Sequence, residues 1–197
     1  MSFTESRKSQ HNVESIFISR WSKRALSGEP IPDSVLFSAF EAARWAPSAG
    51  NAQPWRFVYS KRDSATWTTF HSLLNVRNGA WAKRASALIV VLSRTVRDTN
   101  DGLQRLRSHS FDTGAAWSNL ALQAHSLGWN TRAIGGFDRE AARRALTIPD
   151  DYEIEIIVAI GKATDSTILS PELQSTEFPT DRLPVTSLVA EGQFSFG

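Results

Sequence analysis

Arg20, Ser22 and Arg24 place two guanidinium groups and a hydroxyl within five residues. That donor set suits a phosphate, because arginine offers planar, bidentate and permanently charged hydrogen-bond forks. A solvated basic helix end has the same residue types. Pro47-Ser48-Ala49-Gly50-Asn51-Ala52-Gln53-Pro54-Trp55 combines prolines, small residues and amides in a tight loop whose side chains suit sugar hydroxyls and the polar edge of a ring. An ordinary helix-to-strand connection is also built this way. Asn78 and Trp81 precede an apolar run, and Gly135-Gly136 offers backbone N–H groups with no side chain to obstruct an incoming ring. Together these pieces suit a flat, partly polar, phosphorylated ligand.

Several other chemistries lack their residues. The chain has no cysteine, which removes disulfides, thiolate nucleophiles, dithiol redox pairs and cysteine-ligated metals. Redox chemistry would therefore require a bound cofactor. His11, His71, His109 and His125 show no zinc-ligand spacing. No GxGxxG, GxxxxGK[ST] or GxSxG pattern is present, so a Rossmann site, a P-loop and a nucleophile elbow are not expected. The balance of 22 basic against 20 acidic residues supplies no strong field for nucleic acid or an anionic membrane. The polar first twelve residues lack the apolar stretch of a signal peptide, and no apolar run approaches the ~18 residues of a membrane span. A cytoplasmic protein with no membrane or nucleic-acid partner is the expectation.

The elements that position these residues can be read from periodicity. With 197 residues, 41% of them hydrophobic, a single domain over 13–197 preceded by a flexible arm over 1–12 is the simplest organisation. Val13, Ile16 and Phe17 recur at helical spacing in a segment predicted helical from Val13 toward Leu26. Asp33 is the expected N-cap of a helix carrying Val35, Leu36, Ala39, Phe40 and Ala43, stopped by Pro47. Strands are expected at Arg56–Ser60, Ala87–Ser93, Asn130–Ile134 and Tyr152–Ile160. Helices are expected at Trp67–Leu74, at Phe111–Leu127 and from the Asp138 cap to Ala145. In the Phe111–Leu127 helix, Gly114 and Ala115 should admit a close neighbour. The polar stretch from Arg94 to His109 reads as a surface connection and candidate lid, and Lys162–Arg182 as a long connection. The abundant tryptophans and phenylalanines read chiefly as core. An α+β fold with helices covering a sheet follows.

In this order the pieces resemble the FMN-dependent nitroreductase family, from about Ser19 to Val189. Ser19-Arg20-Trp21-Ser22-Lys23-Arg24 is similar to its N-terminal Arg-x-Ser-x-Arg/Lys signature, and Ile31-Pro32-Asp33 to its next helix start. Ala43 to Phe57 follows its most specific pattern nearly letter for letter. Asn78-Gly79-Ala80-Trp81, Ile134-Gly135-Gly136-Phe137 and Asp181-Arg182-Leu183-Pro184 resemble its Asn-x-x-Trp, glycine-turn and Arg-x-Pro elements. The resemblance implies a central, mostly antiparallel sheet covered by helices, in an intertwined homodimer with two interface flavins. Arg20, Ser22 and Arg182 would hold the phosphate of a tightly bound, non-covalent FMN, alongside Trp21 of the same signature. Arg24 and Asn78 would lie near the pyrimidine edge, and Gly135 and Gly136 would face the N5 and O4 side. Pro47, Ser48, Ala49 and Asn51 would reach the flavin of the partner. Trp21 stands where a polar or basic residue is frequent, and Gly135 where some members carry Glu.

The implied activity is NAD(P)H-dependent reduction of a small-molecule electron acceptor, a nitroaromatic or quinone, by a ping-pong hydride transfer in which the flavin carries the chemistry. No protein nucleophile is needed. Within the same fold, dehalogenation, dehydrogenation or flavin breakdown is the alternative. A flavin-free interaction or nucleic-acid-binding protein is the rival from another class. Acceptor-contacting residues would lie between 94 and 111.

Overall fold

The apolar run Leu88-Ile89-Val90-Val91-Leu92 has no polar alternation, so a strand built from it must be covered on both faces. The computed structural model, which describes residues 7–196, shows that arrangement. In chain order the elements are α1 (Ser15–Ser19), α2 (Asp33–Arg44), β1 (Trp55–Lys61), α3 (Trp67–Ser72), α4 (Val76–Ala82), β2 (Ala87–Arg94), β3 (Val96–Thr99), β4 (Gly102–Arg105), α5 (His109–Ser126), β5 (Asn130–Ile134), α6 (Arg139–Ala145), β6 (Tyr152–Gly161) and α7 (Pro171–Gln174).

Four strands form one antiparallel sheet in the order β1-β2-β6-β5. Side chains alternate across a strand, so β2 supplies two cores. Leu88, Val90 and Leu92 join Phe70, Trp81, Ala142 and Leu173 on one face. Ala87, Ile89 and Val91 join α2 and α5 on the other, through Leu36, Ala39, Ala43, Ala116, Leu120 and Ala124. Each fully buried large apolar side chain contributes roughly 1.5–3 kcal/mol. The α+β architecture read from the sequence is thus present, with helices on both sides of the sheet.

Several local expectations change. The predicted helix over Val13–Leu26 shrinks to α1, after which Arg20 turns extended at φ −70° and ψ 127°. Leu26, fully buried, bridges to Ala163 instead. The N-cap of α2 is Pro32, and Asp33 sits in the first turn with its carboxylate on Lys61 Nζ at 2.6 Å. Asp138 does cap α6, accepting from Ala141 N at 2.8 Å. Between Arg94 and His109 the chain folds into a β3–β4 hairpin across Asn100-Asp101. Gly114 has nothing within 4 Å of an added Cβ, so the close α2–α5 packing rests on buried alanines rather than on that glycine. Trp55, Trp81 and Trp129 are core residues, whereas Trp45 is 71% exposed. Among the described residues no helix is long and apolar enough to cross a membrane.

Candidate functional site

Helix α1 ends before Arg20, whose own backbone is extended, and the chain from Arg20 to Arg24 is not helical, which decides what Arg20, Ser22 and Arg24 can do together. In a helix, residues two apart face different ways. In an extended chain they share a side. These three, with Trp21, line one cleft of about 250 Å³ together with Arg7, Arg132 and Arg182. The long segment after β6 closes it with Thr176, Phe178, Pro179 and Thr180.

Electrostatics in the cleft are lopsided. Arg24 is neutralised: its Nη1 lies 3.0 Å from Glu177 Oε2, and Glu177 Oε1 also accepts from the Arg24 and Ala25 backbone N–H groups. Among the described residues no carboxylate lies within ion-pair distance of Arg7, Arg20, Arg132 or Arg182. Burial holds the Arg20 guanidinium below its usual range, and repulsion from Arg7 and Arg182 adds to it. Burial likewise lowers Arg132, with Arg24 adding to the effect and Glu177 opposing it. His125, whose Nε2 is 2.9 Å from Ser19 Oγ, is held low by burial and then by Arg20 and Lys23. Glu177 and Asp181 offset the repulsion only in part, at Arg132 and Arg7, and partly desolvated cations crowded in this way form a site that an anion would relieve.

Arg132 connects this cleft to two of the three remaining motifs, Asn78–Trp81 and Gly135–Gly136. From β5 it donates to the Ser22 carbonyl and lies 5.8 Å from the Trp81 ring centroid. Trp81 Nε1 in turn donates to Asn78 Oδ1 at 3.4 Å, and Asn78 Nδ2 donates to the Gly136 carbonyl at 3.2 Å. Asn75 N donates to the same carbonyl at 3.1 Å, while its side chain caps α4. The approach is close: an added Cβ at 136 would stand 2.3 Å from Asn75 Nδ2 and 2.7 Å from Asn78 Nδ2, so both amides would have to shift. At Gly135 the nearest atom is 3.9 Å away. Arg20, Trp21, Ser22, Arg24 and Arg182 therefore share one cleft, and a chain of contacts joins it to Asn78 and Gly136.

Pro47, Ser48, Ala49 and Asn51 are not part of that cluster. Their loop leads into β1, and β5, which carries Arg132, lies at the opposite edge of the sheet. Three inter-strand spacings separate the two edges, roughly 14 Å. The loop is nevertheless held firmly. A 3₁₀ turn spans Ala49–Asn51, and Gly50, Asn51 and Gln53 all have left-handed φ, at 56°, 53° and 47°. Two of these are not glycine, a strain that persists only where the surroundings enforce it. Ser48 Oγ accepts from Gln53 N at 3.0 Å, and buried Asp112 Oδ2 accepts from Ala49 N at 3.1 Å. Apart from those ties the loop presents Pro47, Ala49 and Asn51 to the exterior.

Two cleft residues carry no sequence signal. Arg132 is one arginine in the short strand Asn-Thr-Arg-Ala-Ile, and only the β5–β6 pairing aims it at Ser22. Arg7 lies in the polar arm far from the arginine motif in sequence, and reaches Arg20 O at 2.9 Å. No group of three or more His, Asp or Glu among the described residues could hold a metal ion.

A four-stranded antiparallel sheet with helices on both faces and an arginine-lined cleft linked to a glycine turn defines an α+β class of protein, and comparison with known sequences narrows it. The sequence model of the nitroreductase family matches residues 18–66 and 60–162, and the chain belongs to that family. An Archaeoglobus fulgidus protein with the provisional name NADH dehydrogenase/NAD(P)H nitroreductase is 30% identical over 155 residues, covering 74% of this chain and 82% of the relative. A Thermus thermophilus protein named NADH dehydrogenase is 26% identical, over 87% of this chain and 92% of its own. A crystal structure described as an oxidoreductase containing FMN superposes with a TM-score of 0.95 at 43% identity, covering 97% of both chains.

Proposed function

We propose that the chain is an FMN-dependent NAD(P)H:acceptor oxidoreductase that reduces nitroaromatics, quinones or similar electron-poor compounds. The carrying observation is the convergence of Arg20, Ser22, Arg132 and Arg182 on one cleft in which, among the described residues, none of the three arginines is ion-paired with a carboxylate. The FMN-containing relative at 43% identity supports the same reading. Bound here, FMN would supply two-electron redox chemistry, taking hydride equivalents from NAD(P)H and passing them to the acceptor, which use one open face in turn.

The chain's own residues bind and orient. Arg20, Arg182 and Ser22 would hold the phosphate end by charge-assisted hydrogen bonds. Arg24 and Asn78 would serve the ring end. Glu177 fixes Arg24 in place and also offsets much of its charge, so Arg24 serves there mainly as an oriented donor. Gly136 leaves the turn free of a side chain, and Gly135 and Gly136 present backbone groups beside Asn78.

The proposed assembly is a homodimer in which Pro47, Ser48, Ala49 and Asn51 complete the partner's site. Support comes from the rigid outward loop and from large apolar residues left on the surface. Phe37, Trp45 and Phe111 are 53%, 71% and 83% exposed on or beside α2 and α5, and Leu183, Leu188, Val189 and Phe194 are exposed along the C-terminal segment. Apolar surface of this extent marks an interaction site.

The double variant Arg20→Ala/Arg182→Ala tests the cleft. Each lost charge-assisted hydrogen bond is worth about 1.5–3 kcal/mol, so the folded variant is expected to purify largely free of FMN. Stoichiometric FMN in that variant would overturn the phosphate assignment.

A further inference from the structure

Residues 7–11, ahead of α1, are tied to the same cleft. Arg7 lines it, donates from Nη1 to the Arg20 carbonyl at 2.9 Å, and has its guanidinium lowered by burial and then by Arg182, with Asp181 opposing. Three residues on, Gln10 Oε1 accepts from Val185 N at 2.8 Å, so the arm is pinned across the segment carrying Arg182. Between arm and segment lies a second cavity of about 380 Å³, bordered by Arg7–His11 on one side and Asp181–Val185 on the other.

We propose that Arg7 is a further anion-binding residue of this site and that the Arg7–His11 segment is a clasp which the ligand's phosphate draws closed. The inference rests on the reading of the cleft as a flavin phosphate site. Its physical basis is the crowding of Arg7, Arg20 and Arg182 on one cleft and their mutual repulsion, which Asp181 offsets only in part at Arg7. With no anion present, that repulsion opposes docking of the arm. With a phosphate dianion between them, the same three charges favour it. Docking of the arm and binding of the anion are then linked, and each strengthens the other by the same factor. Neither Arg7 nor the arm falls within the residues matched by the family sequence model.

The test compares FMN with riboflavin, which lacks the phosphate, on the full-length flavin-free chain and its Arg7→Ala, Arg7→Lys, Arg20→Ala and Arg182→Ala variants. Affinity is read by flavin fluorescence, and amide hydrogen exchange is read at residues 8–11. The expected result is at least about tenfold weaker FMN binding in Arg7→Ala, partial recovery in Arg7→Lys, and riboflavin affinity unchanged. FMN, but not riboflavin, should slow exchange at residues 8–11 in the wild type and not in Arg7→Ala. Wild-type FMN affinity in Arg7→Ala, with Arg20→Ala and Arg182→Ala weakened, would overturn the clasp and leave the phosphate site standing. Equal loss of FMN and riboflavin would also overturn it. If Arg20→Ala and Arg182→Ala also keep full preference for FMN over riboflavin, the phosphate reading fails and the clasp fails with it.

Discussion

Replacing Gly136 with alanine would put a methyl group 2.3 Å from Asn75 Nδ2 and 2.7 Å from Asn78 Nδ2. Both amides must move. Asn75 then loses its N-cap hydrogen bond to Asn78 N at 2.9 Å, a loss of about 1 kcal/mol. Asn78 loses its bond to the Gly136 carbonyl, roughly another 0.5–1.5 kcal/mol. The expected destabilisation is about 1.5–2.5 kcal/mol, which for a chain of this size lowers Tm by roughly 3–10 °C. Gly135→Ala is the matched control, because its added Cβ meets nothing nearer than 3.9 Å and its φ is not left-handed; it should shift Tm by less than about 2 °C. Thermal unfolding by circular dichroism on both variants checks the pair. Equal behaviour of the two, or an unchanged Gly136→Ala, would refute the claim that the turn is closed against the α4 amides.

Asp112→Ala removes the acceptor of Ala49 N and Ser108 Oγ and should speed hydrogen exchange at Ala49 while costing about 1–3 kcal/mol of stability. Unchanged protection there would show that Asp112 does not hold the loop. Glu177→Ala leaves a half-buried arginine and two backbone N–H groups without their acceptor and should destabilise by about 3–5 kcal/mol in urea unfolding. His125 contributes to pH dependence. Its folded pKa lies below the usual value of 6.5, so the unfolded chain binds more protons as pH falls through 6.5, and stability drops there. His125→Gln should flatten the urea midpoint below pH 6.5, and an unchanged slope would assign the effect elsewhere.

The core was legible because it follows simple rules. The five-residue apolar run of β2 announced a strand buried on both faces, and the spacing of Ala116, Leu120 and Ala124 announced α5. Helix α4 escaped because it is seven residues long and its cap, Asn75, follows closely on α3. The β3–β4 hairpin escaped because its strands are largely exposed and polar on both faces, so no alternation marks them. Arg20–Arg24 was read as a helix end from the spacing of Val13, Ile16 and Phe17, whereas α1 stops at Ser19 and Leu26 is buried in a bridge to Ala163. Of the residues that line the cleft, Arg20, Trp21, Ser22, Arg24 and Arg182 lie in motifs local in sequence. Arg132 and Arg7 do not, since only strand pairing and the docked arm bring them to the cleft.

The most direct test of the central claim is the visible spectrum of the purified full-length chain, followed by anaerobic titration with NADPH and with NADH. The account predicts stoichiometric oxidised flavin, released as FMN on denaturation, bleached by at least one of the two donors and restored by a quinone or nitroaromatic. A colourless protein that takes up no added FMN, or an FMN-loaded chain that neither donor bleaches, would contradict it.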